Sequence, residues 1–215
     1  MSRIQPILLA SSNPGKLAEL RRLCADLPVR ILGPGDLPEG LPEVEETGRN
    51  FLENAVLKAF AAAAEAERQL GPGVWALADD SGLMVDALDG EPGVRSARFA
   101  GVEGPERDAA NNALLLQRLE GLPPEARSAR FVCVLAVARG DELLFAVEGV
   151  CEGRILETPA GAGGFGYDPL FYHEGLGSSF AEATPEQKAA VSHRGQAVER
   201  LRRVLEQVLP SSPAA

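Results

Sequence analysis

The chain has 215 residues, a net charge of −10 and a mean hydropathy of −0.04, which is typical of a globular protein that buries one sizeable core. No apolar run approaches the ~20 residues that a membrane-spanning helix requires, and the negative charge argues against a broad nucleic-acid-binding surface. We therefore expect neither a membrane nor a nucleic acid as partner.

The cysteines and the first apolar run bear on location. Cys24, Cys133 and Cys151 form no CxxC pair and cannot all pair within the chain, so we expect them to be buried in a reducing compartment. The run from Ile4 to Ala10 stops before a polar loop, which indicates a first strand rather than a signal peptide. Both observations predict a cytoplasmic protein.

Lysine is rare in this chain. Of 21 basic residues, only Lys16, Lys58 and Lys188 are lysines. Arginine evidently supplies most of the solvated positive charge, whereas a lysine provides a compact point charge suited to phosphate. Each lysine is therefore a candidate anion ligand.

The loop after the first predicted strand resembles an anion site. Ser11 to Lys16 precede an amphipathic helix that we expect to run to about Leu27. Pro14 suits the first helical turn, and Ser12 or Asn13 suits the cap. The N–H groups and dipole of such a helix start attract anions, although an ordinary capped helix is the alternative. The segment is not a P-loop, because Leu follows the lysine and the leading glycine is absent.

A second strand, 29–33, and a Pro- and Gly-rich loop precede a long helix predicted over 49–70. Asn54 and Lys58 are four residues apart in this helix, so they share one stripe, which we expect to be exposed.

Two adjacent carboxylates follow the next apolar run. Val74 to Ala78 predicts a short buried strand leading into Asp79 and Asp80, and Ser81-Gly82 is expected to turn the chain there. Side chains alternate along a strand, so the two aspartates should point to opposite faces. A carboxylate at such a strand end can hold a metal or a water, although solvated aspartates in a turn are the alternative.

Glu45 and Glu46 precede the long helix, where carboxylates are favoured by the helix dipole. The sharper interpretation makes one of them a magnesium ligand beside Asp80, because Mg²⁺ prefers carboxylate and phosphate oxygens.

The middle of the chain predicts a third helix and a hairpin. The helix covers 105–119 and should bury Ala109, Ala113, Leu116 and Leu119. Two strands, 130–138 and 143–150, flank Gly140-Asp141. An antiparallel pair within a strand–helix alternation predicts a mixed sheet.

The run from Thr158 to Pro169 contains a formal GxGxxG pattern. A dinucleotide fingerprint requires a strand before it and a helix after it, but Thr-Pro precedes and Asp-Pro follows, so we reject that interpretation. A flexible loop that carries aromatic rings and a carboxylate suits a flat heterocycle, with a structural turn as the alternative. The residues concerned are Phe165, Tyr167 and Asp168.

The C-terminal part predicts two helices. A short one over 185–191 carries Lys188, and His193 and Arg194 follow it. The last helix should reach about Leu209, and we expect residues 210–215 to form a flexible tail. No linker divides the chain, so we predict one domain over 1–209.

Five blocks together resemble the inosine/xanthosine triphosphate pyrophosphatases (XTP/dITP diphosphatases). They are SSNPGK, EETG with FLENAVLKA, LADDSGLMVDALDGEPGVRSARFAG, GGFGYDPLF, and SHRG after Lys188, and they cover nearly the whole chain in the family's order. The resemblance implies an α/β fold with a long mixed central sheet flanked by helices, and two lobes with an active-site cleft between them. It also implies hydrolysis of non-standard purine triphosphates to the monophosphate and pyrophosphate, a requirement for Mg²⁺, and a homodimer.

The resemblance implies a role for each matching residue. The family often has Thr-Gly-Asn where this chain has Ser11-Ser12-Asn13, so this chain departs from the family pattern by an extra side chain at Ser12. The implied phosphate-binding residues are Ser11, Ser12, Asn13, Pro14, Gly15, Lys16 and Lys58; Glu45 and Asp80 bind Mg²⁺, with Asp80 also the proton acceptor; and Ser81, Phe165, Gly166, Tyr167, Asp168, Lys188, His193 and Arg194 bind substrate.

The base edges have a physical reading. Inosine and xanthosine carry a 6-oxo acceptor and an N1–H donor. Arg194 and His193 could donate to the oxo group, and Asp168 could accept from N1–H. Adenine reverses both edges and leaves these groups unpaired. The alternatives are a diphosphatase for modified pyrimidine triphosphates and a nucleotide-binding regulator without turnover.

Overall fold

The computed structural model describes residues 4–11 and 13–209. The predicted tail, 210–215, and Ser12 lie outside these ranges. The strands are β1 (Gln5–Leu9), β2 (Val29–Leu32), β3 (Trp75–Val85), β4 (Ser128–Arg139), β5 (Glu142–Ile155), β6 (Phe171–His173) and β7 (Ser178–Ser179). The α-helices are α1 (Pro14–Leu23), α2 (Phe51–Leu70), α3 (Arg107–Arg118), α4 (Pro185–Val191) and α5 (His193–Val208).

The strands form one mixed sheet in the order β2-β1-β3-β4-β5-β6-β7. β1 is parallel to both β2 and β3, whereas β6 is antiparallel to β5 and to β7. Two residues, Gly140 and Asp141, connect β4 to β5 as the predicted hairpin. The α/β class and the mixed sheet are therefore confirmed.

The described residues divide into two compact units. Within the described ranges, unit 1 takes in the residues up to Asp80, Val134–Glu148 and the residues from Ala197 on, and unit 2 takes in Ser81–Cys133 and Gly149–Gln196. The chain first passes from unit 1 to unit 2 between Asp80 and Ser81, two adjacent residues of β3. The single two-lobed domain with a cleft stays a prediction.

In unit 1, helix α2 begins at an Asn50 cap, whose side chain accepts the Glu53 N–H at 2.8 Å, and it packs against β1. Its buried face consists largely of alanines, which allow close approach to the sheet. Asn54 is fully buried on this face, whereas Leu52 is 47% exposed. The predicted exposed stripe at Asn54 is therefore wrong, because the helix turns that stripe toward the strand that carries the aspartates.

In unit 2, the core surrounds three phenylalanines. Phe131 lies 4.6 Å from Phe171 and 6.0 Å from Phe180 between ring centroids. Leu115 of α3 and Leu119 just after it are buried in this cluster, and Leu116 packs against it, so the predicted burial of Leu116 and Leu119 is confirmed. Ala109 and Ala113 are exposed, contrary to the prediction, and Asn111 is buried instead. The buried face includes an asparagine because its amide has backbone partners there.

The predicted turn at Ser81-Gly82 is also wrong, because β3 continues through it to Val85. The physical reason is close packing: a Cβ on Gly82 would lie 2.3 Å from Ser96 Oγ, which also accepts the Leu83 N–H at 2.9 Å. Gly82 thus makes room for the segment at 93–98 rather than bending the strand.

Candidate functional site

Two buried carboxylates at the end of unit 1 each meet a lysine. Asp79 and Asp80 are 7% and 8% exposed. Lys16 Nζ lies 2.8 and 2.6 Å from the two Asp79 oxygens, and Lys58 Nζ lies 2.8 Å from Asp80 Oδ1. Adjacent carboxylates thus bind side chains of two different helices, α1 and α2, as strand alternation requires.

Asn54 completes the environment of Asp80. Its Nδ2 donates to Asp80 Oδ2 at 3.3 Å, and its Oδ1 accepts the Gly48 N–H at 2.7 Å. Asn54 and Lys58, one helical turn apart, therefore each bind one oxygen of Asp80. This places the carboxylate in a defined orientation and ties it to the loop before α2.

That loop brings Glu46 to the cluster. Lys58 Nζ lies 2.8 Å from Glu46 Oε1, so Asp80 and Glu46 share one ammonium group. Glu45, the predicted ligand, is exposed. The Thr47 N–H donates to the Glu45 carbonyl at 3.1 Å, so the chain turns at Glu46, and it is Glu46 that meets Lys58. We call Asp79, Asp80, Glu46, Lys16, Lys58 and Asn54 the acid–lysine cluster.

Burial and pairing act in opposite senses on this cluster. Burial raises the pKa of Asp80 above its ordinary value, and the hydrogen bond from Lys58 only partly offsets this. Burial lowers the pKa of Lys58, but the hydrogen bonds to Asp80 and Glu46 outweigh it, so the net shift is upward. Lys58 therefore stays protonated. The charged form of Asp80 is stabilised by Lys58 less than burial destabilises it.

The predicted phosphate loop lies in unit 1. Asn13 caps α1, its Oδ1 accepting the Gly15 N–H at 2.9 Å, and Pro14 occupies the first turn as predicted. Ser11 and Lys58 line a common cavity of about 350 Å³, whose other walls are mostly apolar. Among the predicted phosphate ligands that the structure describes, Lys16 binds Asp79, and Lys58 binds Asp80 and Glu46.

A second cavity, of about 150 Å³, lies within unit 2. All the substrate-binding residues predicted for this unit line it, although they come from four separate parts of the chain. They are Ser81, Phe165, Gly166, Tyr167, Asp168, Lys188, His193 and Arg194.

Asp168 is the electrostatic centre of this pocket. It is 2% exposed, its Oδ2 accepts the Phe165 N–H at 2.8 Å, and it forms an ion pair with Lys188. A Cβ on Gly164 would lie 2.1 Å from the same Oδ2, and φ there is +73°. The glycines of this loop therefore allow the backbone to pass close to a buried carboxylate. The loop is not a dinucleotide-binding motif, because β5 ends at Ile155 and the next helix begins only at Pro185.

The aromatic residues of the pocket differ in exposure. Tyr167 is buried, its hydroxyl donates to Ser96 O at 2.9 Å, and burial raises its pKa. Phe165 is 62% exposed, with Lys188 Nζ 4.6 Å from its ring centroid. Phe165 thus offers a ring face to a ligand, whereas Tyr167 forms a fixed wall.

Donors form the remaining side. His193 is buried and stacks on Phe131, with ring centroids 4.8 Å apart, and Arg194 Nη2 lies 3.3 Å from Ser81 Oγ. An exposed aromatic face, a buried carboxylate and clustered N–H donors suit a flat heterocycle with both acceptor and donor edges.

Comparison with known proteins decides the family. The model of the Ham1 family matches residues 7–204. The chain belongs to the Ham1 family. This confirms the resemblance carried by the five sequence blocks.

Named relatives match over nearly their whole length. The chain is 49% identical to a dITP/XTP pyrophosphatase of Anaeromyxobacter sp. (strain Fw109-5), covering 94% of this chain and 97% of that protein. It is 48% identical to a dITP/XTP pyrophosphatase of Desulforamulus reducens, covering 93% and 94%. The solved structure of a HAM1 protein from Coxiella burnetii superimposes with a TM-score of 0.85 at 41% identity, covering 95% of this chain and all of that one.

Sequence reasoning missed several residues of this Ham1 pocket. Asn111 and Asn112 interrupt the apolar pattern of α3, and adjacent amides in a helix that packs on the core indicate hydrogen bonds to other parts of the chain. The missed lining residues are Gly82, Ser96, Ala97, Arg107, Asp108, Asn111 and Phe131. Within the described part of this Ham1 chain, no helix is long and apolar enough to cross a membrane.

Proposed function

We propose that this protein hydrolyses non-standard purine nucleoside triphosphates, ITP, dITP and XTP, to the monophosphate and pyrophosphate. The observation that carries the proposal is the 150 Å³ pocket, which collects every base-binding residue that the family resemblance assigns to unit 2. The names of the curated relatives support the same activity. A diphosphatase for modified pyrimidines is not favoured by these relatives.

The pocket can distinguish a 6-oxo purine from adenine. Arg194 and His193 donate to the 6-oxo group, and Asp168 accepts N1–H. A carboxylate has about four acceptor sites, so Asp168 can bind N1–H while holding Lys188 and the Phe165 N–H. Adenine presents a donor to the donors and an acceptor to the carboxylate, which leaves buried polar groups unpaired.

The acid–lysine cluster performs the hydrolysis. Release of pyrophosphate requires a water oxygen to bond to the α-phosphorus while the bond from that phosphorus to the bridging oxygen breaks. Lys16 and Lys58 neutralise charge on the phosphate oxygens, and Asp80 accepts the proton of the attacking water. The raised pKa of Asp80 makes it a better base than an ordinary carboxylate.

The cluster also fits a magnesium ion. Across the described residues no group of three or more His, Cys, Asp or Glu side chains gathers as a metal cage, but Mg²⁺ is commonly held by one or two carboxylates and the substrate's phosphates. Asp80 and Glu46 would hold it, because an oxygen of each lies 2.8 Å from Lys58 Nζ and the two carboxylates therefore lie near each other. When bound, the ion supplies Lewis-acid neutralisation of the phosphate charge.

We predict that Glu46→Gln raises the magnesium concentration needed for half-maximal pyrophosphate release by about tenfold or more, because a neutral amide is a weaker ligand for Mg²⁺. Glu45→Gln is the matched control and should leave it within about twofold. A magnesium titration of both variants decides. The reverse result would assign the metal to Glu45, the residue that the family resemblance implied.

We also propose that the protein is a cytoplasmic homodimer. The family resemblance supports the dimer, and three buried cysteines suit a reducing compartment.

The test of the function is pyrophosphate release from ITP, dITP, XTP, ATP, GTP and dUTP in Mg²⁺. We expect fast release from the 6-oxo non-standard purines. Turnover led by dUTP would favour the pyrimidine activity, and tight ITP binding without product would favour a regulator.

A further inference from the structure

The backbone of one residue of the base pocket, Gly166, is held on both sides of its Cα by α3. The Gly166 N–H donates to Asp108 Oδ2 at 2.8 Å, and the Gly166 carbonyl accepts from Asn112 Nδ2 at 2.8 Å. Asp108 and Asn112 lie one helical turn apart, so their side chains can reach the same residue. Both backbone polar groups of Gly166, which belong to two successive peptide groups, are thus bound by side chains of one helix.

The two side chains are themselves fixed. Asn112 Nδ2 also donates to the Asp108 carbonyl at 2.8 Å, and Asp108 Oδ1 accepts from Arg107 Nε at 3.0 Å. Asp108 lies in the first turn of α3, where a carboxylate is favoured by the helix dipole.

The same helix also binds the segment around Ser96 and Ala97, which lines the pocket. Asn111 is 3% exposed; its Oδ1 accepts the Ala100 N–H at 2.8 Å and its Nδ2 donates to the Ser96 and Ala97 carbonyls at 3.3 Å. Tyr167 donates to that Ser96 carbonyl as well. Helix α3 therefore fixes the segment at 93–98 and the loop at 165–168 together.

Gly166 has a backbone conformation that favours glycine. Its φ is +60°, and a Cβ there would meet nothing within 4 Å, so no packing contact at that position helps to hold it. It joins Phe165, which offers the ring face, to Tyr167 and Asp168. A change in φ or ψ at Gly166 would move the stacking ring relative to the carboxylate that accepts N1–H.

We propose that Asp108 and Asn112 are positioning residues that fix the backbone of Gly166 and thereby set the selectivity of the pocket for 6-oxo purines. This inference rests on the proposed function. The two residues act through Phe165 and Asp168, and neither belongs to the acid–lysine cluster.

The experiment compares kcat and KM for ITP and ATP in Asp108→Ala, Asn112→Ala and the double variant. Each single substitution should raise KM for ITP about tenfold, since one hydrogen bond to a positioned group is lost, and should lower the ITP-over-ATP ratio of kcat/KM by a similar factor. kcat for ITP should stay within about threefold. The double variant should lose about as much as one single variant, because either loss frees rotation about the φ or ψ of the same residue, Gly166.

Three controls make the result decisive. Gln117→Ala, on an exposed position of the same helix, should behave like wild type. Asp108→Asn keeps an acceptor for the Gly166 N–H and should retain selectivity, whereas the isosteric Asn112→Asp places a carboxylate against the Gly166 carbonyl and should lose it. These isosteric variants serve if an alanine variant does not fold.

Two outcomes overturn the inference separately from the function. Variants with a lower Tm but the wild-type ITP-over-ATP ratio would show that the two residues only stabilise α3. Single variants whose effects multiply in the double variant would show that the two residues do not act together on Gly166. A wild-type protein that releases no pyrophosphate from ITP would instead overturn the proposed function, and the inference with it.

Discussion

Asp80→Asn should lower kcat/KM for ITP by about a thousandfold. An amide cannot accept a proton from water at neutral pH and is a poor magnesium ligand, so the substitution removes both roles proposed for this residue. The side chain keeps its shape, and one amide oxygen still accepts a hydrogen bond from Lys58 or Asn54. Pyrophosphate release at saturating Mg²⁺ measures the loss.

Asp86→Asn is the matched control for charge. Asp86 is an exposed carboxylate on a neighbouring turn that binds Arg130 at 3.0 Å, and its neutralisation should leave kcat/KM within about twofold. If Asp80→Asn kept activity within tenfold of wild type, neither the base nor the metal could depend on Asp80.

Thermal unfolding in EDTA shows whether Asp80→Asn is still folded. Burial raises the pKa of Asp80, so the native state keeps this proton to a higher pH than the unfolded chain does. Stability contributed by the protonated form is therefore lost as pH rises from about 4, the ordinary value for aspartate, through the folded pKa. Asparagine is neutral throughout. The Tm of Asp80→Asn minus the Tm of the wild type should therefore increase as pH rises over this range. A Tm that instead falls behind with rising pH would show that attraction to Lys58 outweighs burial.

Asp168→Ala should lower the free energy of unfolding by about 3 kcal/mol and raise KM for ITP by about a hundredfold or more. The substitution leaves the Lys188 ammonium without its ion-pair partner in a mostly buried place and leaves the Phe165 N–H without its acceptor. It also removes the group that accepts N1–H. Urea unfolding and ITP kinetics measure the two effects.

Two substitutions calibrate the Asp168 result. Glu174→Ala removes a carboxylate that is 74% exposed and paired with Arg154, and should change stability little. Asp168→Asn keeps one acceptor and should cost less stability than alanine while still weakening ITP binding. Equal losses for Asp168→Ala and Glu174→Ala would mean that the buried ion pair does not hold the loop.

The sequence was most informative about residues whose type itself indicates their chemistry. The three lysines, chosen only because they are rare, each bind a carboxylate in the structure: Lys16 with Asp79, Lys58 with Asp80 and Lys188 with Asp168. Order along the chain also predicted the mixed sheet, because a two-residue connection between strands permits only an antiparallel pair.

Errors arose where a side chain's environment is set by a distant part of the chain. Polar residues in a helix are ordinarily assigned to the exposed face, but Asn54 is buried because Asp80 and Gly48 supply its partners. A Ser-Gly pair ordinarily indicates a turn, but Gly82 continues a strand because Ser96 fills the space where a Cβ would lie.

Sequence by itself thus determined the family and the class of fold, and it named eight of the residues that line the 150 Å³ cavity, because these depend on residue types in a fixed order. Tertiary structure alone decided which of Glu45 and Glu46 reaches Lys58, and that Asp108 and Asn112 hold Gly166 across 58 and 54 residues of chain. Local patterns describe neighbours within a helical turn or along a strand, whereas these contacts follow from how the chain folds back on itself.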